Sequence, residues 1–290
     1  MKALYKIAIM MSAVILAACT AGQQDDIFNI PLDGYTLFET DFEEVDLEGS
    51  AGLFWDKGQS LGVFGSAEGK NEKYTLKRAF DGKAVGEFYG PKVSGDMISA
   101  YYPYSDDFSL FEGMLHYTLV NLQEYDGTET LYQQFGKYSK VVYAFNDNDG
   151  KLKFGYASGV LLIEPRLNLS ASVKSVSVSS EDVLAGLGGV DRDMSVKMSI
   201  DGMKTITLDC GEGLPMKNGD AYNRLPVVLP VGTYRGVKVA LTLSDDSVIE
   251  SEYDSIEIKR VTASDCPITE VVVTAGLGGF DVEDNLEFEQ

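Results

Sequence analysis

Histidine and tryptophan occur once each in these 290 residues and cysteine three times, so the chain has little of the chemistry that metal sites and nucleophilic catalysis require. The sole histidine, His116, sits in the strand-like run Met114 to Val120 with no Cys or His neighbour, and it reads as a strand residue rather than a metal ligand. Gly58-Gln59-Ser60-Leu61-Gly62 matches the spacing of a nucleophile elbow. That motif needs a following helix and an activating histidine, and Val63-Phe64-Gly65 starts no helix, so Ser60 reads as a turn serine. Phe145 stands where a calcium loop over 145–150 would need its first oxygen ligand, and no glutamate closes the loop. The many carboxylates cannot be paired into a glycosidase dyad from sequence. No catalytic residue, metal site or cofactor is therefore expected.

Basic residues are also scarce, 24 Lys and Arg against 45 Asp and Glu. A formal charge of -21 argues against nucleic acid as a partner, because phosphate binding needs a basic footprint. Helical periodicity is nearly missing after the first twenty residues, whereas two-residue alternation and turn dipeptides recur, which predicts an all-β chain. Asp-Gly occurs at Asp33, Asp81, Asp126, Asp149 and Asp201, and Asn-Gly at Asn218, dipeptides suited to tight hairpins. Val237, Val239, Leu241 and Leu243 predict a strand with one buried face, as do Met194, Val196, Met198 and Ile200. Leu53 to Phe64 reads as a hairpin carrying Trp55 into the core, with turn chemistry over Asp56 to Ser60. A strand near Leu152 to Phe154 and a new one from Val160, stopped by Pro165, place a boundary near Ser158. The heptapeptides at Ala185 and Ala275, AGLGGVD and AGLGGFD, both fall in the second half and lack the third glycine of a dinucleotide fingerprint.

At the N-terminus, Lys2 and Lys6 precede an apolar run over Ile7 to Leu16, too short to span a bilayer, which predicts a secretory signal over residues 1–19. Leu16-Ala17-Ala18-Cys19 resembles the lipobox of bacterial lipoproteins, and that resemblance implies lipidation of Cys19 and an outer-membrane anchor. Residues 20–26, TAGQQDD, form a polar tether whose acidic pair is similar to the surface-export signal of Bacteroidetes lipoproteins.

Five blocks, in this order, carry a wider resemblance. Trp55-Asp56-Lys57-Gly58-Gln59-Ser60-Leu61-Gly62-Val63-Phe64 is followed by Ala100-Tyr101-Tyr102-Pro103-Tyr104. Then come Val173 to Ser180 with Leu184-Ala185-Gly186, Ile206-Thr207-Leu208-Asp209-Cys210, and Val227 to Tyr234. This order is similar to that of the fimbrillin-like (Mfa-like) lipoproteins of Bacteroidetes. The resemblance implies two transthyretin-like Greek-key β-sandwiches in tandem, over 27–158 and 159–290. It also implies a cell-surface component of a type V pilus whose subunits join by strand complementation. In polymerising members an arginine-specific protease removes the first strand. Here no Arg or Lys lies between Cys19 and Lys57, and the first arginine is Arg78, which favours an anchor-like or unprocessed subunit. The segment Ile27 to Phe42 is then the strand involved in complementation.

With Cys19 assigned to lipid, Cys210 and Cys266 form an even pair, and a disulfide closing their loop would contribute about 3 to 4 kcal/mol. A buried free thiol at Cys210 is the alternative, since Ile206, Leu208 and Cys210 share a strand face. Asp246-Ser247-Val248 and Asp254-Ser255-Ile256 resemble the short O-glycosylation motif of Bacteroidetes exported proteins, making Ser247 and Ser255 candidate acceptors. The competing function is a surface glycan-binding lipoprotein stacking sugars on Tyr101, Tyr102, Tyr104, Phe108 and Phe111. Against it, aromatics beside Pro103 most simply fill a sandwich core.

Overall fold

The computed structural model describes residues 35–42, 55, 58–65, 69–79, 85–93, 95, 97–139, 142–146, 151–166, 172–216, 224–260 and 269–274. Nearly all of the regular structure is β, as the alternation predicts, and it forms one closed barrel and three open sheets.

The barrel takes its strands from the first half of the chain. They are β1 (Tyr35–Phe42), β2 (Ser60–Phe64), β3 (Glu72–Ala79), β4 (Val85–Pro91), β5 (Ile98–Tyr102), β9 (Val142–Asn146) and β10 (Lys151–Tyr156). Their order is β1-β10-β9-β5-β2-β3-β4, closing back on β1, so no strand of this sheet has a free edge. Inward residues alternate with outward ones; β4 buries Gly86, Phe88 and Gly90 between half-exposed Val85, Glu87 and Tyr89. Glycine at two of those inward positions is a steric requirement, because a side chain at Gly86 would meet the Trp55 ring and one at Gly90 the Tyr74 ring.

Trp55 is buried against Phe88, Tyr102 and Phe154, as expected of a core tryptophan. The expected hairpin over Leu53 to Phe64 is corrected. Leu53 and Phe54 lie outside the described residues, Trp55 is in no strand, and β2 pairs with β3 on one side and β5 on the other. A strand has two edges, and both of those of β2 are taken.

The second half supplies most of the remaining sheets. A five-stranded sheet has the order β18 (Val248–Ile258), β17 (Gly232–Leu243), β12 (Ser172–Ser179), β15 (Thr205–Pro215), β8 (Leu122–Glu124). A three-stranded sheet has the order β16 (Leu225–Pro230), β11 (Ser158–Arg166), β19 (Thr269–Thr274). Their apolar faces share one core, including Val176, Leu208, Leu161 and Ile163, and Val237, Val239, Leu241 and Leu243 all point into it as predicted. The four-stranded sheet is β14 (Val196–Met198), β13 (Gly186–Val190), β7 (Met114–Leu119), β6 (Ser109–Phe111).

The strand pairing does not divide at Ser158. β7 pairs with β13, and β8 runs parallel to β15, so residues 109–124 are built into sheets of the second half. Leu110, Leu115, Tyr117 and Leu119 belong to that core, whereas Val160 and Val228 belong to the barrel's. Only Ala157 separates β10 from β11, and β11 continues through Pro165 to Arg166. The proline is tolerated because β16 pairs with β11 only as far as Ile163, leaving the strand beyond it bonded on the β19 side alone.

One further expectation is corrected. The alternation from Met194 to Ile200 forms only the three residues of β14, with Met194 in a turn at φ 60 and Ile200 exposed. Among the described residues there is one helix, α1 (Leu131–Tyr138), which leaves the all-β class intact; Thr130 and Gln133 make reciprocal capping bonds at its start.

Candidate functional site

The element that topology singles out is β1. It lies antiparallel to β4 from Tyr35↔Pro91 to Asp41↔Val85, and parallel to β10 from Glu39↔Lys151 to Phe42↔Phe154. The alternation Leu37, Phe38, Glu39, Thr40 puts Phe38 and Thr40 inward, and both are fully buried. Phe38 packs on Tyr74, ring centres 5.4 Å apart. The Thr40 hydroxyl donates to the Gly86 carbonyl at 3.0 Å, so a buried polar group has its partner. β1 is thus an N-terminal strand seated in a seam between two strands that come later in the chain, held by backbone bonds on both edges and by one aromatic anchor. This is a geometry that backbone complementation can use. Ile27 to Gly34, the start of the segment expected to take part, lie outside the described residues.

Of the other predicted site residues, Cys19 and Cys266 lie outside the described residues. Cys210 is a buried free thiol, and burial pushes its pKa up to about 12, so it is no nucleophile at neutral pH. Ser247, in the β17–β18 turn, is exposed and donates to the Asp245 carboxylate; Ser255 is exposed on β18. Ser60 begins β2 and no helix follows it. His116 lies on β7, and no group of three potential metal ligands occurs among the described residues.

Of the aromatics around Pro103, Tyr101 and Tyr102 serve the interior, whereas Phe111 is 60% exposed. Tyr101 is fully buried, stacked on Phe108 at 3.7 Å, and its hydroxyl donates to Ser105 O at 2.7 Å and accepts from Asn71 Nδ2 and Ser105 N. Tyr102 packs edge-on to Trp55. Tyr104 lies half-exposed under Lys73 and donates to Asp106, a bond that raises its pKa to about 12. Sequence reasoning missed Gln123, a buried amide whose Nε2 donates to Val228 O and whose Oε1 accepts from Val228 N. A glutamine in a three-residue strand gives no signal of such a role.

No protein-family model matches this sequence, and no curated protein matches it. Among solved structures, the chain is similar to a candidate cell adhesion protein from Bacteroides ovatus, at 12% identity and TM-score 0.49, covering 78% of this chain and 88% of that one. It is also similar to the tip fimbrial protein Mfa3 from Porphyromonas gingivalis, at 9% identity and TM-score 0.38, covering 75% of this chain and 80% of that one. The fimbrial anchor protein Mfa2 from the same organism is a third, at 12% identity and TM-score 0.35, covering 76% of this chain and 82% of that one. Structural neighbours of this chain thus include fimbrial proteins.

Proposed function

We propose that this chain is a non-enzymatic cell-surface subunit of a fimbrial assembly, anchored in the outer membrane through lipid on Cys19 and acting in adhesion. The observation that carries this reading is the seating of β1 in the β4–β10 seam, because a strand held largely by backbone bonds can be matched by an equivalent strand from another subunit. The absence of Arg and Lys between Cys19 and Lys57 supports an unprocessed, anchor-like subunit that keeps its own β1. Partner subunits would then engage it without arginine-specific cleavage. In this reading Ser247 and Ser255, both exposed, are the glycosylation acceptors.

The test is the apparent mass of the native protein, extracted mildly from its own cells and run on an SDS gel with and without boiling. Strand-complemented assemblies resist SDS until heated, so a heat-sensitive high-mass species containing other subunits is expected. A monomer under both conditions would overturn the assembly role.

A further inference from the structure

The chain's sole histidine shares the outer face of the four-stranded sheet with a methionine. On β7, Leu115, Tyr117 and Leu119 are buried, so Met114 and His116 stand together on the opposite side, both half-buried. The strand partner of His116 on β13 is Gly189. A β-carbon at Gly189 would lie 3.5 Å from the Met114 sulfur and 3.6 Å from His116 Cε1. Thioether and imidazole therefore border one spot that the glycine keeps open.

The imidazole carries a second mark. His116 Nε2 is buried and has no hydrogen-bond partner among the described residues. Its strand neighbours supply none: Ser109 stands opposite on β6 without bonding Nε2, and Gly189 has no side chain. Phe111, 60% exposed, sets its ring centre 6.1 Å from that of the imidazole. A buried ring nitrogen left unpaired bears its desolvation penalty in full, and a ligand bound there offsets it.

The donor set fixes the class of that ligand. No Asp or Glu occurs in β6, β7, β13 or β14. Two carboxylates directly border these strands. Glu112 is exposed in the β6–β7 turn, and Asp191 is engaged by Lys197 and by the N–H groups of Asp193 and Ser195. Calcium and magnesium need several oxygen ligands, and zinc a full set of nitrogen, sulfur or oxygen donors. One thioether and one imidazole suit a soft ion, copper(I). A single positive charge also asks least of a site that has no carboxylate to balance it.

We propose that Met114 Sδ and His116 Nε2 form a binding site for copper(I) on the outer face of the four-stranded sheet. Methionine is unbranched and flexible, so its sulfur can swing over Gly189 to share one ion with Nε2. The neighbouring Phe111 ring attracts the cation through its face. The site lies apart from the β1 seam, and it stands or falls independently of any fimbrial assembly.

The experiment is a titration of the full chain with silver(I), a redox-inert ion of the same charge and softness, followed by NMR at the imidazole. Because the chain has one histidine, the Cε1–H signal reports on His116 alone, whatever the cysteines bind. With silver in excess over the cysteines, that signal should shift and saturate, and the Met114 methyl signal should move with it. Met114→Leu keeps an apolar side chain of similar volume, and melting curves verify its fold. It should need several-fold more silver to shift His116, and zinc at the same concentrations should leave the signal of the native chain in place. No silver-dependent shift at His116, a stationary Met114 methyl, an equal response from Met114→Leu, or an equal shift with zinc overturns the proposal.

Discussion

The ring of Tyr101 occupies the space that a side chain at Gly62 would need: a β-carbon built there would lie 1.9 Å from Tyr101 Cε1. β5 pairs with β2 at this point, Gly62 opposite Tyr101, and the tyrosine folds across its partner strand to reach Phe108, Asn71 and the Ser105 carbonyl. The glycine that interrupts the apolar run after Trp55 is therefore the slot for the most embedded tyrosine of the YYPY sequence.

Gly62→Ala should consequently destabilise the protein by about 3 kcal/mol or more, because a fully buried ring held by hydrogen bonds has nowhere to move. Gly136→Ala, in exposed helix where an added β-carbon meets nothing, should stabilise by up to about 1 kcal/mol. Thermal melting of the two variants side by side checks both signs.

Gln123→Ala should cost about 2 to 4 kcal/mol, an effect out of scale with a three-residue strand. The substitution leaves the Val228 N–H and C=O buried without their partners, and such groups bear the desolvation penalty in full. Denaturant unfolding should show a lower midpoint with an unchanged slope.

The two tyrosines flanking Pro103 separate core from ligand roles. Tyr102→Ala removes an edge-on partner of Trp55 and should lower stability by about 2 to 3 kcal/mol. Tyr104→Ala loses only a half-exposed ring under Lys73 and should change stability by about 1 kcal/mol or less. A variant that melts normally yet loses binding on a glycan array would identify Tyr104 as a sugar contact and revive the glycan-binding reading.

Asp182 gives a pH signature. It accepts from the Arg235 guanidinium and backbone N–H, which hold its carboxyl below the usual range. A carboxylate whose pKa is lower in the folded state stabilises above its unfolded value, near 4, and loses that contribution as pH falls through the folded value. The stability difference between the native chain and Asp182→Asn should therefore be flat at neutral pH and shrink below about pH 4. Melting temperature measured from pH 7 to pH 3 in both proteins tests this.

The all-β class and the buried face of β17 were legible because Val237, Val239, Leu241 and Leu243 recur at every second position. The core role of Trp55 was legible for a similar local reason. Pairing was not: β2 pairs with the next strand, β3, and with β5 further along, rather than with the residues before it, and nothing in Ser60 to Phe64 encodes that choice. Nor was the destination of residues 109–124, since Gln123 acts through an amide whose partner lies 105 residues away. At the candidate site, the family resemblance marked Ile27 to Phe42 as an extended segment, and β1 lies within it. Its place in the barrel follows only from β10 closing on its far edge.

The pairing of β7 with β13 and of β8 with β15 also bears on the order in which the chain can mature. Synthesis delivers residues 109–124 well before the strands that complete them, so this stretch must wait, with its apolar side chains unburied, until the second half has emerged. The barrel, whose strands all come from the first half, can close first, whereas residues 109–124 are secured only when β13 and β15 arrive.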